Sequence, residues 1–137
     1  MKAFFDSSSL VKKYILEKGS DKIADMISKT EVKIISSICF PEMVSTLSRL
    51  KREKRITSDQ YNRLIAFIVD DLKNFNVCEI RTPIIRKAVF LLETFTLKTL
   101  DALQIACAIE ARSEIFISSD HHQIKIAHQA GLKIEEI

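Results

Sequence analysis

Four carboxylates stand where a chain of alternating strands and helices would present them together. Asp6 closes the short apolar run Lys2-Ala3-Phe4-Phe5, and Asp120 follows the run Ile115-Phe116-Ile117 and two serines. Under a parallel-sheet reading both strand ends open on one edge of the sheet, where ligands sit in open α/β folds. Glu42 lies beside Pro41 in the first turn of the helix after the second strand, so it is expected near that edge as well. Asp101 falls in the first turn of the most apolar helix in the chain, where it shares a face with Gln104 and Ala108.

Each acid has a plainer explanation when taken singly. Asp120 is a favoured helix N-cap, Glu42 complements a helix dipole, and Asp6 could cap the first helix. Yet Ser7, Ser8 or Ser9 would cap without a charge, and Thr99 is available as a cap ahead of Asp101. An extra charge on an apolar helix is costly to bury unpaired. Four acids meeting at one edge repel one another and raise each other's pKa. A hard divalent cation relieves that repulsion, and Mg²⁺ binds through a few carboxylates plus substrate phosphate while keeping several waters. The chemistry of such an edge is hydrolytic phosphoryl transfer, with an activated water and a stabilised leaving oxygen.

The elements that must position these acids read as an α/β domain with a central parallel sheet of four to five strands flanked by helices. Strands are expected at residues 2–5, 32–35, 76–80 and 115–117, with 133–137 as a last one. The spacing of Leu10, Val11, Tyr14 and Ile15 predicts a first helix beginning at Leu10 and stopping at Gly19, with Ser20 capping the next. Met43, Val44, Leu47 and Leu50 form the apolar side of the Glu42 helix. Thr57-Ser58-Asp59-Gln60 resembles a capping box, ahead of a helix that turns Tyr61, Leu64, Ile65, Ile68 and Leu72 inward. Thr82-Pro83 is read as cap and first helical position, and residues 99–112 as a buried helix, apolar nearly all round. No linker, repeat or low-complexity segment divides residues 1–137, which are read as one domain.

Composition narrows the function classes. A net charge of +3 permits a nucleic-acid partner without demanding one, so local clustering matters more than the total. Three cysteines, Cys39, Cys78 and Cys107, lie in apolar stretches without a C-x-x-C pair, which suits free thiols in a reducing compartment. The N-terminal apolar run is broken by Asp6 and three serines, and no apolar run approaches the ~20 residues of a membrane span. The expected location is the cytoplasm, with no membrane partner.

The residues then reach a resemblance. Phe4-Phe5-Asp6-Ser7-Ser8-Ser9-Leu10-Val11-Lys12 resembles the opening of PIN-domain nucleases, in particular the VapC-type toxins of toxin–antitoxin pairs. Leu100-Asp101-Ala102-Leu103-Gln104-Ile105-Ala106 resembles their third-acid motif, and Ile117-Ser118-Ser119-Asp120 their strand-end Thr/Ser-x-Asp. Pro41-Glu42-Met43 occupies the place of their helical Glu. Gln104 departs from the His that members often carry, and Ser118 replaces Thr while keeping the hydroxyl. The resemblance implies Mg²⁺- or Mn²⁺-dependent cleavage of RNA, with Asp6, Glu42 and Asp101 as the main ligand set and Asp120 completing a second or water-bridged position. Ser118 and, more weakly, Ser7 would orient the site by hydrogen bonding. The resemblance further implies a homodimer held inactive by a small cognate antitoxin, which would pack an apolar segment on the Glu42 and Tyr61 helices.

Arg49, Lys51, Arg52, Lys54 and Arg55 make a basic end to the Glu42 helix. They suit a solvated helix end that complements the dipole, and equally a phosphate track leading RNA past the acids that repel it. Arg49 and Arg52 are the candidate RNA contacts there, and Lys12 could extend the track. His121, His122 and His128 fit a hard-ion site poorly. Adjacent histidines point apart on a helix, and oxygen ligands already suit the ion. Three rivals remain to compare. A PIN-like scaffold could hold RNA or a partner without cutting, although four retained acids argue against it. A phosphoacceptor receiver domain wants a mid-chain strand-end Asp that is absent here. A haloacid-dehalogenase-type phosphatase wants Asp-x-Asp after its first strand, where this chain has Ser8.

Overall fold

The apolar runs do pair as strands. In the computed structural model, which describes residues 1–137, β1 (Lys2–Phe5), β2 (Val32–Ser36), β3 (Asn76–Cys78), β4 (Ile115–Ser118) and β5 (Ile134–Glu136) form one sheet. Every pairing is parallel and the strand order is β3-β2-β1-β4-β5. The first connections run outward from β1 to β3; the next returns to the other side of β1 to place β4. The switch in strand order therefore falls between β1 and β4, where the carboxyl ends of adjacent strands diverge and leave a crevice.

Alternation along β1 builds the two cores. Phe4 faces one side with Ile34 and Phe116, while Ala3 and Phe5 face the other with Ile35 and Ile117. The first side is covered by α5 (Thr82–Thr94), α6 (Thr99–Glu110) and α7 (His121–Gln129). The second is covered by α2 (Ser20–Lys29), α3 (Cys39–Arg52) and α4 (Ser58–Leu72). Phe4 stacks on Phe116 with ring centroids 5.6 Å apart, and Phe5 meets Phe75 edge-on at 5.8 Å. With all of Ala3, Phe4 and Phe5 sealed from solvent, β1 is pinned on both faces, each buried ring being worth roughly 2–3 kcal/mol.

Several boundaries differ from the sequence reading for local reasons. The first helix, α1 (Ser7–Leu10), starts three residues early and tightens into a 3₁₀ turn at Val11–Lys13 instead of continuing to Gly19. Ser9 Oγ donates to the Asp6 carbonyl at 2.8 Å, so the serines join the first turn of the helix. Gly19, at φ 97°, is the N-cap of α2. Ser20 is not the cap; its Oγ accepts from Glu17 N at 2.9 Å and donates to the Lys12 carbonyl at 2.7 Å, closing the intervening loop. A Cβ at position 19 would stand 2.9 Å from a methyl of Ile137, a second reason for glycine there. Thr57 and Gln60 form the expected capping box. Arg81 and Lys98, not Thr82 and Thr99, are the N-caps of α5 and α6, and neither uses its side chain. Arg112 adopts φ 54°, and α6 ends before it, at Glu110. No helix is long and apolar enough to cross a membrane.

Candidate active site

The register carries Asp6 and Ser118 to the same height. Phe5 pairs with Ile117 in the β1–β4 ladder, so the next residues of the two strands are Asp6 and Ser118. Asp6 N continues the ladder to the Ile117 carbonyl at 2.9 Å. The Asp6 backbone caps α1, but its carboxylate makes no capping bond. Oδ2 instead accepts from Ser8 Oγ at 2.5 Å and from Ser118 Oγ at 2.9 Å. Ser118 Oγ in turn accepts from Asp120 N at 3.1 Å, and Ser8 Oγ from Ser119 N at 3.1 Å. Two hydroxyls thus tie the ends of β1 and β4 together through one carboxylate oxygen.

Glu42 and Asp101 come from opposite sides of the sheet. Glu42 sits in the first turn of α3, where its Oε1 accepts from Ser7 Oγ at 3.0 Å and from Gln104 Nε2 at 2.6 Å. Asp101 sits in the first turn of α6, half-buried. Asp120 is the N-cap of α7, its Oδ1 accepting from Gln123 N at 3.1 Å. The capping explanation therefore holds for Asp120 and fails for Asp6.

One cleft of about 510 Å³ is lined by Asp6, Glu42, Asp101 and Asp120 together with Ser7, Ser8, Ser45, Thr46 and Gln123. Burial pushes the Asp6 carboxyl up to about 6, against the hydrogen bonds from Ser8 and Ser118, with the charges of Glu42 and Asp101 adding to the rise. Asp101 is raised too, first by burial and then by Asp120 and Glu42, with Lys98 and His122 opposing. The mutual repulsion expected of clustered acids is thus present.

No three of the His, Cys, Asp and Glu side chains converge tightly enough to close around an ion by themselves. The donor set is nonetheless all oxygen, and no donor of the chain reaches Asp6 Oδ1, Glu42 Oε2 or Asp120 Oδ2. Carboxylates spaced around an open cleft suit a hydrated hard dication better than a dry protein cage.

Ser7 and Ser118 both reach the site, each on a different acid. Lys12, Arg49 and Arg52 do not line the cleft. Arg49 and Arg52 are exposed on the Glu42 face of α3, about 10 and 15 Å along the helix from Glu42 at 1.5 Å per residue. His121 and His122 are exposed at the start of α7, the first paired with Glu136 and the second with its Nε2 2.6 Å from the Thr96 carbonyl. Sequence reasoning missed Ser8 and Gln123 and gave Gln104 no role. The spacing Asp120-x-x-Gln123 matches a capping box and was a usable signal, although Gln123 Nε2 turns instead toward the Asp101 carbonyl at 3.5 Å.

The family model for the PIN domain matches residues 3–129, which includes all four acids. The chain belongs to the PIN domain family. No curated protein sequence matches it. Among solved structures, this PIN domain is similar to a chain of a toxin–antitoxin complex from Klebsiella pneumoniae, at 21% identity and TM-score 0.70, over 98% of this chain and 99% of that one. It is similar to a chain of VapBC2 from Rickettsia felis, bound to a promoter DNA fragment, at 14% identity and TM-score 0.71 over 100% and 99%. VapC20 of Mycobacterium tuberculosis, a toxin that cleaves the sarcin–ricin loop, matches at 14% identity and TM-score 0.69, over 95% of each chain. At these identities the likeness is one of fold.

Proposed function

We propose that this PIN-domain chain is a metal-dependent endoribonuclease that cleaves RNA phosphodiester bonds, and that it is the toxin of a type II toxin–antitoxin pair. The carrying observation is the cleft that gathers Asp6, Glu42, Asp101 and Asp120 at the switch point of the sheet. The family match and the fold likeness to toxin–antitoxin proteins support the reading. Residues 1–137 act as one domain.

Asp6, Glu42 and Asp101 would hold Mg²⁺ or Mn²⁺, with Asp120 at a second or water-bridged position. A bound dication supplies charge neutralisation, water activation and stabilisation of the leaving oxygen. Ser118 and Ser8 aim the Asp6 carboxylate, while Ser7 steadies Glu42. Asp120 also fixes the start of α7 against the cleft. Arg49 and Arg52 offer phosphate contacts along α3, and Lys12, on the 3₁₀ turn after α1, is a further candidate; such cations offset the repulsion between the acids and the RNA backbone.

A cognate antitoxin has a fitting surface. Tyr14, Ile15, Leu16, Ile56, Leu64 and Phe67 line an apolar groove between the first helical turns and α4. Leu16 is 91% exposed and Phe67 65%, an arrangement that favours cover by an apolar segment of a partner. The protein is expected to pair as a homodimer and to act in the cytoplasm.

Purified protein incubated with a mixed single-stranded RNA pool and Mg²⁺ or Mn²⁺, against EDTA, tests the reading. Metal-dependent products are expected. Folded, partner-free protein that binds Mn²⁺ but gives no products on RNA carrying the target of a related toxin would favour the non-cutting scaffold.

A further inference from the structure

Gln104 spends its hydrogen-bonding capacity unevenly. It lies in the buried middle of α6, between Leu103 and Ile105, and is 1% exposed. Nε2 donates to Glu42 Oε1 at 2.6 Å, across 62 residues of sequence. Its own Oε1 is buried without any partner. The sense of the amide is dictated by Glu42, since the reversed amide would set a carbonyl oxygen against a carboxylate oxygen at that distance. A residue whose task was packing would be apolar here, because a buried carbonyl left unsatisfied is destabilising. The amide is retained at that cost, so the donor matters more than the loss.

Ser7 Oγ donates to the same oxygen at 3.0 Å. Two donors from different elements, α1 and α6, therefore converge on Glu42 Oε1. They hold that oxygen in place and leave Oε2 without a donor from the chain. A free glutamate would swing between monodentate and bidentate presentations; two donors on Oε1 oppose that swing.

We propose that Gln104 is a positioning residue for Glu42, holding Oε1 together with Ser7 so that Oε2 alone is offered to a divalent cation in the cleft. The inference rests on the metal-dependent reading above for the identity of the ligand. Outer-sphere partners of this kind commonly change metal affinity by about 10–100-fold when removed.

The test is a calorimetric Mn²⁺ titration of the full-length protein, first stripped of metal, with melts in EDTA run in parallel. Gln104→Met and Gln104→Leu both remove the donor at similar volume and relieve the orphaned carbonyl. At least one is expected to melt no lower than wild type while binding Mn²⁺ about tenfold more weakly or worse. Ser7→Ala is expected to weaken binding as well, and the double variant to lose less than the two singles combined, since both donors hold one oxygen. In RNA cleavage the loss should fall on kcat, with KM for RNA little changed. Folded Gln104 variants that keep wild-type Mn²⁺ affinity would overturn the role and leave the nuclease reading standing. A lowered melting temperature with unchanged affinity would mark Gln104 as structural only. Wild-type protein that binds no Mn²⁺ would overturn both.

Discussion

Ser118 Oγ donates to Asp6 Oδ2 at 2.9 Å, joining the ends of two adjacent strands that lie 112 residues apart in sequence. Ser118 is fully buried and also accepts from Asp120 N, so one hydroxyl serves two of the four acids. Ser118→Ala is expected to lower unfolding free energy by about 1–3 kcal/mol in urea melts, because it strands the half-buried Asp120 amide and removes a donor from a buried carboxylate. An unchanged melt would mean that water replaces the hydroxyl without loss.

Asp101 has no capping duty and shares the cleft with the other acids. Asp101→Asn keeps the size and the helix while removing the charge. RNA cleavage should fall by at least about a hundredfold with the circular dichroism spectrum and melt preserved. Retained cleavage in that variant would sink the site assignment.

Burial sets the sign of a pH effect at Asp6. Its carboxyl titrates near 3.8 when unfolded and near 6 when folded. Between those values the folded chain holds more protons than the unfolded one, so stability declines as pH rises across that window. In EDTA at pH 7.5, Asp6→Asn should therefore be more stable than wild type, by at most about 3 kcal/mol. The gap should close as pH falls below about 4. A pH-independent gap would show that Asp6 is not strained by burial of its charge.

Asp120 combines a cap with a charge, and two substitutions separate them. Asp120→Ser keeps a capping oxygen and should leave stability nearly unchanged, whereas Asp120→Ala should cost about 1 kcal/mol. Both should weaken Mn²⁺ binding. If Asp120→Ser binds Mn²⁺ as wild type does, the residue is a cap and nothing more.

Arg49 and Arg52 follow Glu42 down one face of α3 and are exposed. If they touch RNA phosphates, Arg49→Gln with Arg52→Gln should weaken RNA binding and flatten its dependence on salt by about 0.7 per lost contact on a log–log plot. A salt slope equal to that of wild type would assign them to the solvated helix end instead.

Most of the strand and helix plan could be read from residue types, because β1 and β4 are compact apolar runs and Thr57 and Gln60 make a real capping box. The four acids were legible as strand-end or first-turn residues, a property of single segments. What was not legible depends on pairs. Ser7 to Ser9 read as residues ahead of a helix starting at Leu10, since nothing local shows that Ser7 would find the Glu42 carboxylate or Ser8 the backbone of Ser119. Gln104 looked like a polar residue of no consequence because its partner, Glu42, lies on a helix across the sheet. The strand order was likewise hidden: adjacency of β1 and β4 follows from packing over more than a hundred residues, not from any local period.

The place of β1 in the middle of the sheet has a consequence for how the chain comes into being. β1 emerges before β4, which begins at Ile115 and is its second neighbour. At ordinary synthesis rates of 5–20 residues per second, roughly 5–20 s separate the two. Throughout that interval Asp6 has neither Ser118 nor Asp120 beside it, and Asp101 is made only toward its end, so a ribosome stalled before Ile115 would carry a fragment with an incomplete cleft. The four-acid cleft can therefore close only after the segment from Ile115 to Asp120 has been made, so its assembly waits on the synthesis of β4.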